Sequence, residues 1–538
     1  MRSLVELYRA DRASLGRFYP LPYSPTSIEA MRDFQNSWNK GLDELAFDKL
    51  SIEGRIDWVL LKNRVKWGLS DLEADERRWK EMEGLVTFAP SLWRLEELRQ
   101  RVDPVAGQEA AGVLVNANKQ LLELSSWLKK GEKVKEGQSV ALRASRLVDE
   151  MKGRLKTWYG FYDGYDPVFQ WWVKEPYESL SKGMTEYSAL LREKGAGLKK
   201  EDKDTIVGDP VGKAEIEAQL RFEMIAYSPE ELIEIADREF AWCEAEMKKA
   251  ARDMGFGEDT RAALEKVKNL YVEPGVQTKM IRDLALEAID YMTSKDLVTV
   301  PQLARENWRM EMMSAEAQRI NPFFLGGEVI RVSFPTNEMT HEQKMMSMRG
   351  NNAHFSRATV FHEVIPGHYL QRFMQERYRP YRNVFSTPFW IEGWSLYWEM
   401  LLWDMGFARS AEDRVGMLFW RMHRCARIVF SLRFHLGMMK AQECVDFLVN
   451  RVGHERENAA AEVRRSFEGV YPPLYQAAYM LGGMQLRQLH REFVGGGKMT
   501  NRNFHDRILQ GNSMPIEMVR ASLMGTRIDK NFQASWRF

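Results

Sequence analysis

Cysteine is scarce. The 538 residues hold three, Cys243, Cys425 and Cys444, and no two stand in a C-x-x-C pair. That excludes a structural zinc ribbon, argues against a disulfide framework and suits a reducing compartment. An excess of charge is also lacking. Lysine and arginine total 77 against 76 aspartate and glutamate, a net charge of +1. Without a basic excess, neither nucleic acid nor an anionic membrane is an expected partner. The one locally basic stretch, residues 129–156, reads as a solvated helical face. No run of 18 apolar residues occurs, so no membrane-spanning helix is expected. The opening MRSLVELYRADRASL interrupts each apolar run with charge, so no signal peptide is visible. The expected location is the cytoplasm, or outside it with a leader removed. Strand signals are sparse as well, the best being GEVIRVSFP at 327–335.

Helical periodicity fills the space that strands leave. Ser228-Pro229-Glu230-Glu231 has a serine cap, proline at the first helical position and a glutamate that reaches back, and Gly255 is a stop signal. Patterns of the same kind cover 28–124, 140–158, 412–451 and 459–493. Residues 194–211, KGAGLKKEDKDTIVGDPV, are polar and glycine-rich and form the candidate linker. The expectation is an all-α protein with a small β element near 327–335. Its two helical lobes are 1–200 and 201–538, the second carrying the chemistry.

Nine histidines are present, and two fall in FHEVIPGHYLQ, at His362 and His368, with Glu363 after the first. Zinc hydrolysis needs three protein ligands, an open position for water and a carboxylate that takes the water's proton. The usual helical answer is H-E-x-x-H, with both histidines on one face. Here the second position of that pattern is Pro366, which cannot bind a metal. On one unbroken helix His368 would point about 240° away from His362. Pro366 removes a donor and clashes with the preceding turn, and Gly367 permits unusual backbone angles, so a kink is expected to return His368 to the metal. Downstream, FWIEGWSLYWEM supplies Glu392 as third ligand. Glu399 stands seven residues, two turns, further on the same face, placed to orient a ligand histidine. Trp390, Trp394 and Trp398 form a packing stripe. His341-Glu342, with no second histidine nearby, reads as surface.

FHEVIPGHYLQ followed by FWIEGWSLYWE resembles the HExxPGHxxQ and EGWALYxE pair of the family called domain of unknown function 885, mostly bacterial, helical and regarded as metallopeptidases. PLYQAAYMLGG, at 473–483, resembles its third block. More distantly the layout is similar to thimet oligopeptidase and thermostable metallocarboxypeptidases. There a ligand glutamate follows the His-Glu helix and another glutamate stands seven positions beyond. The resemblance implies two helical lobes around a deep channel with one zinc per chain at its bottom. It implies His362, His368 and Glu392 as ligands, Glu363 as general base, Tyr479 as donor to the oxyanion and His435 as a further catalytic group. Tyr475 stands where the third block has glutamine and is taken as substrate-binding. Arg487, eight residues after Tyr479, is expected to face the same way and to bind a substrate carboxylate. The expected function is zinc-dependent cleavage of amide bonds in short peptides, by a carboxypeptidase or an oligopeptidase. Two alternatives stand beside it: a zinc amidase acting on a small non-peptide substrate, and a helical binding or scaffold protein with a decayed metal site. End preference, side-chain preference, native metal and oligomeric state, a homodimer among the options, stay open.

Overall fold

The structure is a computed structural model describing all residues except 132–133, 136, 200–204, 322, 469–470 and 526, and the side chains of 319 and 320. Five positions of the candidate linker, 200–204, thus lie outside the described residues. Among the described residues the chain forms 23 α-helices and one two-stranded sheet, an all-α fold. None of these helices is long and apolar enough to cross a membrane. The chain divides into two compact units, one of residues 6–45 and 64–209, the other of residues 1–5, 46–63 and 210–538.

In the 6–45 and 64–209 unit α1 (Gly107–Lys129) and α2 (Gln138–Tyr162) both pack against α3 (Pro167–Leu190). Their apolar positions recur every three or four residues, which gathers Leu114, Leu121, Val148, Met151, Phe169 and Met184 into one core. Asp166 starts α3 by accepting from the N–H groups of Val168 and Phe169 at 3.0 and 2.9 Å, ahead of Pro167, whose missing donor costs nothing there. The basic stretch 129–156 has exposed lysines at 129, 130, 135 and 156. Two of its arginines are ion-paired, Arg143 with Asp209 and Glu81, Arg154 with Glu96 and Glu150.

The other unit carries α4 (Pro229–Asp253), β1 (Arg309–Met312), β2 (Val329–Val332), α5 (Ala353–Glu363), α6 (His368–Gln375), α7 (Pro388–Asp404), α8 (Ala411–His435), α9 (Arg456–Phe467) and α10 (Tyr475–His490). The capping box at Ser228 and Glu231 forms, at 3.2 and 2.8 Å, and α4 ends just before Gly255. β2 occupies the middle of the predicted strand and pairs in parallel with β1, with Arg309 opposite Val329. β1 reads RMEM and is largely exposed, so no alternation of apolar residues announced it. α8 is buried along nearly its whole length and packs against α4, α5 and α10. α7 and α10 make the most extensive helix contact. They cross where Gly393 faces Gly482: a Cβ on Gly393 would stand 2.6 Å from the Gly482 Cα. Only glycine allows backbones to approach so closely. The crossing sets the start of α10 beside Glu392.

Candidate metal centre

Asn352 opens α5 by accepting from the N–H groups of His354 and Phe355 at 3.0 and 3.2 Å. The helix runs to Glu363 and stops. The Ile365–Pro366 peptide is cis, and Gly367 lies so close to the His362 carbonyl that any Cβ would overlap it. Gly367 N–H donates to Phe361 O at 3.0 Å, Leu370 N–H to Val364 O at 3.2 Å, and α6 begins at His368. The two histidines therefore sit on two short helices, and the rotation expected of one continuous helix does not apply. Their rings meet edge to face with centroids 4.9 Å apart. Carbonyls freed by the break are taken by α7: Ser395 Oγ donates to His362 O at 2.9 Å and Trp394 Nε1 to Pro366 O at 2.8 Å. Trp390, Trp394 and Trp398 are fully buried, so the tryptophan stripe packs rather than binds.

Three donor atoms converge. Glu392 Oε2 lies 3.1 Å from His368 Nε2 and 3.7 Å from His362 Nε2. Four-coordinate zinc, with bonds of about 2.0–2.1 Å, separates its ligands by about 3.3 Å, so the donor set fits that ion in both chemistry and spacing. The remaining valences are occupied in the sense that zinc ligation needs. His362 Nδ1 is 2.7 Å from Glu399 Oε1, which turns Nε2 inward. The Tyr475 hydroxyl donates to Glu392 Oε1, leaving Oε2 for a metal. Glu363 closes the group: ligand atoms of His362, Glu363 and His368 lie within 4.8 Å of one another.

Burial disfavours a charged His362, but the carboxylates of Glu392 and Glu399 outweigh it and raise its pKa to about 9. Burial raises Glu363, against the partial opposition of His362 and His368. Glu392 has the reverse balance: burial favours its acid form, yet His368 and His362 hold it well below the usual carboxylate range. One carboxylate is thus poised to carry a proton and its neighbour to stay ionised.

The group opens into a cavity of about 620 Å³. Its walls include Tyr475 and Tyr479 from α10, Arg424 and Arg427 from α8, Arg465 from α9, and Leu325, Gly326 and Gly327 before β2. Tyr479 stacks on the His362 ring at 6.1 Å between centroids. Burial and the charge of Glu392 raise its hydroxyl pKa, so it remains a proton donor. The structure thereby brings together His362, Glu363, His368, Glu392, Glu399, Tyr475 and Tyr479. It does not bring His435 or Arg487 to them. His435 is buried against Phe434 and Phe467, with neither ring nitrogen hydrogen-bonded among the described residues, and burial lowers its pKa to about 4. Arg487 is paired with Asp404 at 2.7 and 2.9 Å. Sequence reasoning missed Gly326 and the three cavity arginines. For Arg424 and Arg427 a signal existed: with Arg421 they recur every third residue along a helix whose intervening positions are largely apolar.

No curated protein matches the chain. Among solved structures, a "putative lipoprotein of unknown function" from Shewanella oneidensis is similar over 97% of this chain and 98% of its own, with 15% identity and a TM-score of 0.72. A "putative lipoprotein" from Colwellia psychrerythraea is similar over 93% of this chain and 91% of its own, with 16% identity and a TM-score of 0.59. At such identities the likeness establishes a shared fold. The family described as bacterial protein of unknown function, DUF885, matches residues 19–523, and the chain belongs to that family.

Proposed function

We propose that the protein is a zinc-dependent hydrolase that cleaves amide bonds in short peptides. The observation carrying this reading is the convergence of His362 Nε2 and His368 Nε2 on Glu392 Oε2, beside the buried Glu363 and at the wall of a 620 Å³ cavity. Zinc, when bound, supplies a Lewis acid that polarises a carbonyl and makes water nucleophilic near neutral pH. His362, His368 and Glu392 would hold it.

The chain's own groups supply the rest. Glu363, raised by burial, accepts the proton of the attacking water and returns it to the leaving amine. Glu399 keeps His362 oriented through its Nδ1. Tyr479 donates its hydroxyl to the oxygen that becomes negative in the tetrahedral intermediate. Tyr475, bound to Glu392, positions a ligand rather than touching substrate. Regarding location, the lipoprotein descriptions of the two structural relatives favour export over the cytoplasm, which fractionation of the native host checks.

The test is metal content and peptide cleavage of the wild type, His362→Ala and Glu363→Gln. About one zinc per chain, lost in His362→Ala, with Glu363→Gln retaining zinc but losing turnover by ~10²-fold or more, is the expected pattern. Undiminished cleavage by Glu363→Gln would remove its role as base, and a wild type that takes up no zinc would remove the reading altogether.

A further inference from the structure

On one wall of the cavity three guanidiniums share two paired carboxylates. Arg424 and Arg427, three residues apart on α8, and Arg465 on α9 all line it, and each is at most 6% exposed. Two carboxylates face them. Glu462 lies 2.6 Å from Arg427 Nε and 3.0 Å from Arg465 Nε, and Glu399, already engaged by His362, lies 3.5 Å from Arg424 Nη2. Arg427 Nη1 and Arg424 Nε have no hydrogen-bond partner among the described residues. A buried guanidinium N–H without an acceptor is costly until one is supplied. Its planar fork matches a carboxylate in two-point fashion.

The wall is also close to the metal ligands. The guanidinium of Arg427 stands 4.4 Å and that of Arg424 4.8 Å from the Tyr479 ring centroid, and that same ring stacks on His362. A single aromatic ring thus separates the cations from the proposed zinc site. An extended peptide advances ~3.3–3.6 Å per residue, so an anion in the arginine wall belongs one or two residues beyond the scissile carbonyl. Tyr471, stacked on Tyr475 at 4.1 Å and beneath Arg465 at 5.2 Å, offers a flat apolar face for the terminal side chain.

We infer that Arg427 and Arg465, assisted by Arg424, bind the free C-terminal carboxylate of a short peptide, so that the protein removes one or two residues from the C-terminal end. The inference rests on the peptidase reading above. In the step itself the amide C–N bond breaks, water's hydroxyl joins the acyl carbon and its proton goes to the amine. The arginines hold the carboxylate of the departing fragment.

The experiment is calorimetric titration of the zinc-loaded full chain carrying Glu363→Gln. The ligands are N-acetyl-alanyl-phenylalanine, its C-terminal amide, and N-acetyl-alanyl-glutamic acid α-amide. The free acid is expected to bind ~10–100-fold tighter than the amide, the range for hydrogen bonds to a charged group. Arg427→Gln should cut that advantage below about threefold while leaving the amide's Kd unchanged. Arg465→Gln serves if Arg427→Gln does not fold. Equal Kd values for acid and amide, or no binding of either, overturn the inference. So does a glutamyl amide that matches the acid, because the anion read is then a side chain. Cleavage assays with unsubstituted protein separate the two readings. Cleavage of C-terminally amidated peptides as fast as acids leaves a peptidase and overturns the carboxylate site. A strong acid preference without cleavage of any peptide leaves the carboxylate site and overturns the peptidase.

Discussion

Replacing Gly326 by alanine tests the proposed catalytic geometry without replacing a proposed metal ligand. A Cβ at this position would overlap the Glu363 carboxylate and stand 3.0 Å from both its Cα and its carbonyl oxygen. Comfortable carbon contacts begin near ~3.5 Å. The Glu363 backbone ends α5 and is pinned by the adjoining break, so the side chain must swing away, by about 1 Å or more. Misplacing a reacting group by about 1 Å costs ~10²-fold in rate, and a general base contributes ~10²–10⁴-fold in total. The expected loss in kcat/KM is therefore about 10²-fold, or ~2.7 kcal/mol, with ~1–3 kcal/mol of stability lost to overpacking. Zinc content should remain near one per chain, because the three atoms nearest to the new methyl all belong to Glu363. The assay is kcat/KM for a short peptide, with zinc measured on the same samples, in wild type and Glu363→Gln backgrounds. If Gly326 acts only through Glu363, the second substitution adds little to the first. Wild-type kcat/KM in Gly326→Ala, or a full additive loss in the Glu363→Gln background, would refute the reasoning.

Other consequences follow from particular contacts. Glu399→Gln removes the carboxylate at His362 Nδ1, and zinc affinity should fall ~10–100-fold in competition with a chromophoric chelator; an unchanged Kd would contradict the orienting role. Gly367→Ala cannot keep the break between α5 and α6, because its Cβ would overlap the His362 carbonyl; the purified variant should carry markedly less than one zinc per chain, and a full complement would show that His368 reaches the metal by another path. Burial holds the pKa of His435 at about 4 and those of His454 and His505 at about 3. Their folded values lie below the unfolded ~6.5, so each contributes stability above pH 6.5 that is lost as pH falls towards 4 and 3. Denaturant titrations at pH 7 and 4.5 should differ by about 2 kcal/mol for each such histidine, and His435→Asn should shrink the difference; an identical pH slope in that variant would count against it.

How far the site could be read from the chain depended on the distance over which each relation acts. Glu392 and Glu399 lie seven residues apart on one helix, and local periodicity alone places both on the face that meets His362. The capping box at Ser228 and the halt at Gly255 are equally local. His368 required a judgement about a break: the one-helix rotation predicts a miss, and it comes inward because α5 and α6 are separate helices hinged at Gly367. The residues misjudged or missed belong to tertiary geometry. His435 follows Arg424 by eleven residues, which on α8 is a turn of only ~20° but a rise of ~16 Å. It shares the arginines' face and lies three turns too far along. Arg487 follows Tyr479 by eight, ~80° round and ~12 Å onward, where Asp404 takes it. Gly326 meets Glu363, and Arg465 meets Arg427 through Glu462, only because chain segments far apart in sequence fold against one another, and no periodicity in a single segment carries that. The arginines differ in the same way. Arg487 is satisfied at its own surface pair, whereas Arg427 is buried beside Tyr479 with a donor that has no partner among the described residues. A carboxylate entering the cavity therefore gains most at Arg427, and the residue that sequence spacing nominated for this task is the one whose substitution should leave peptide binding unchanged.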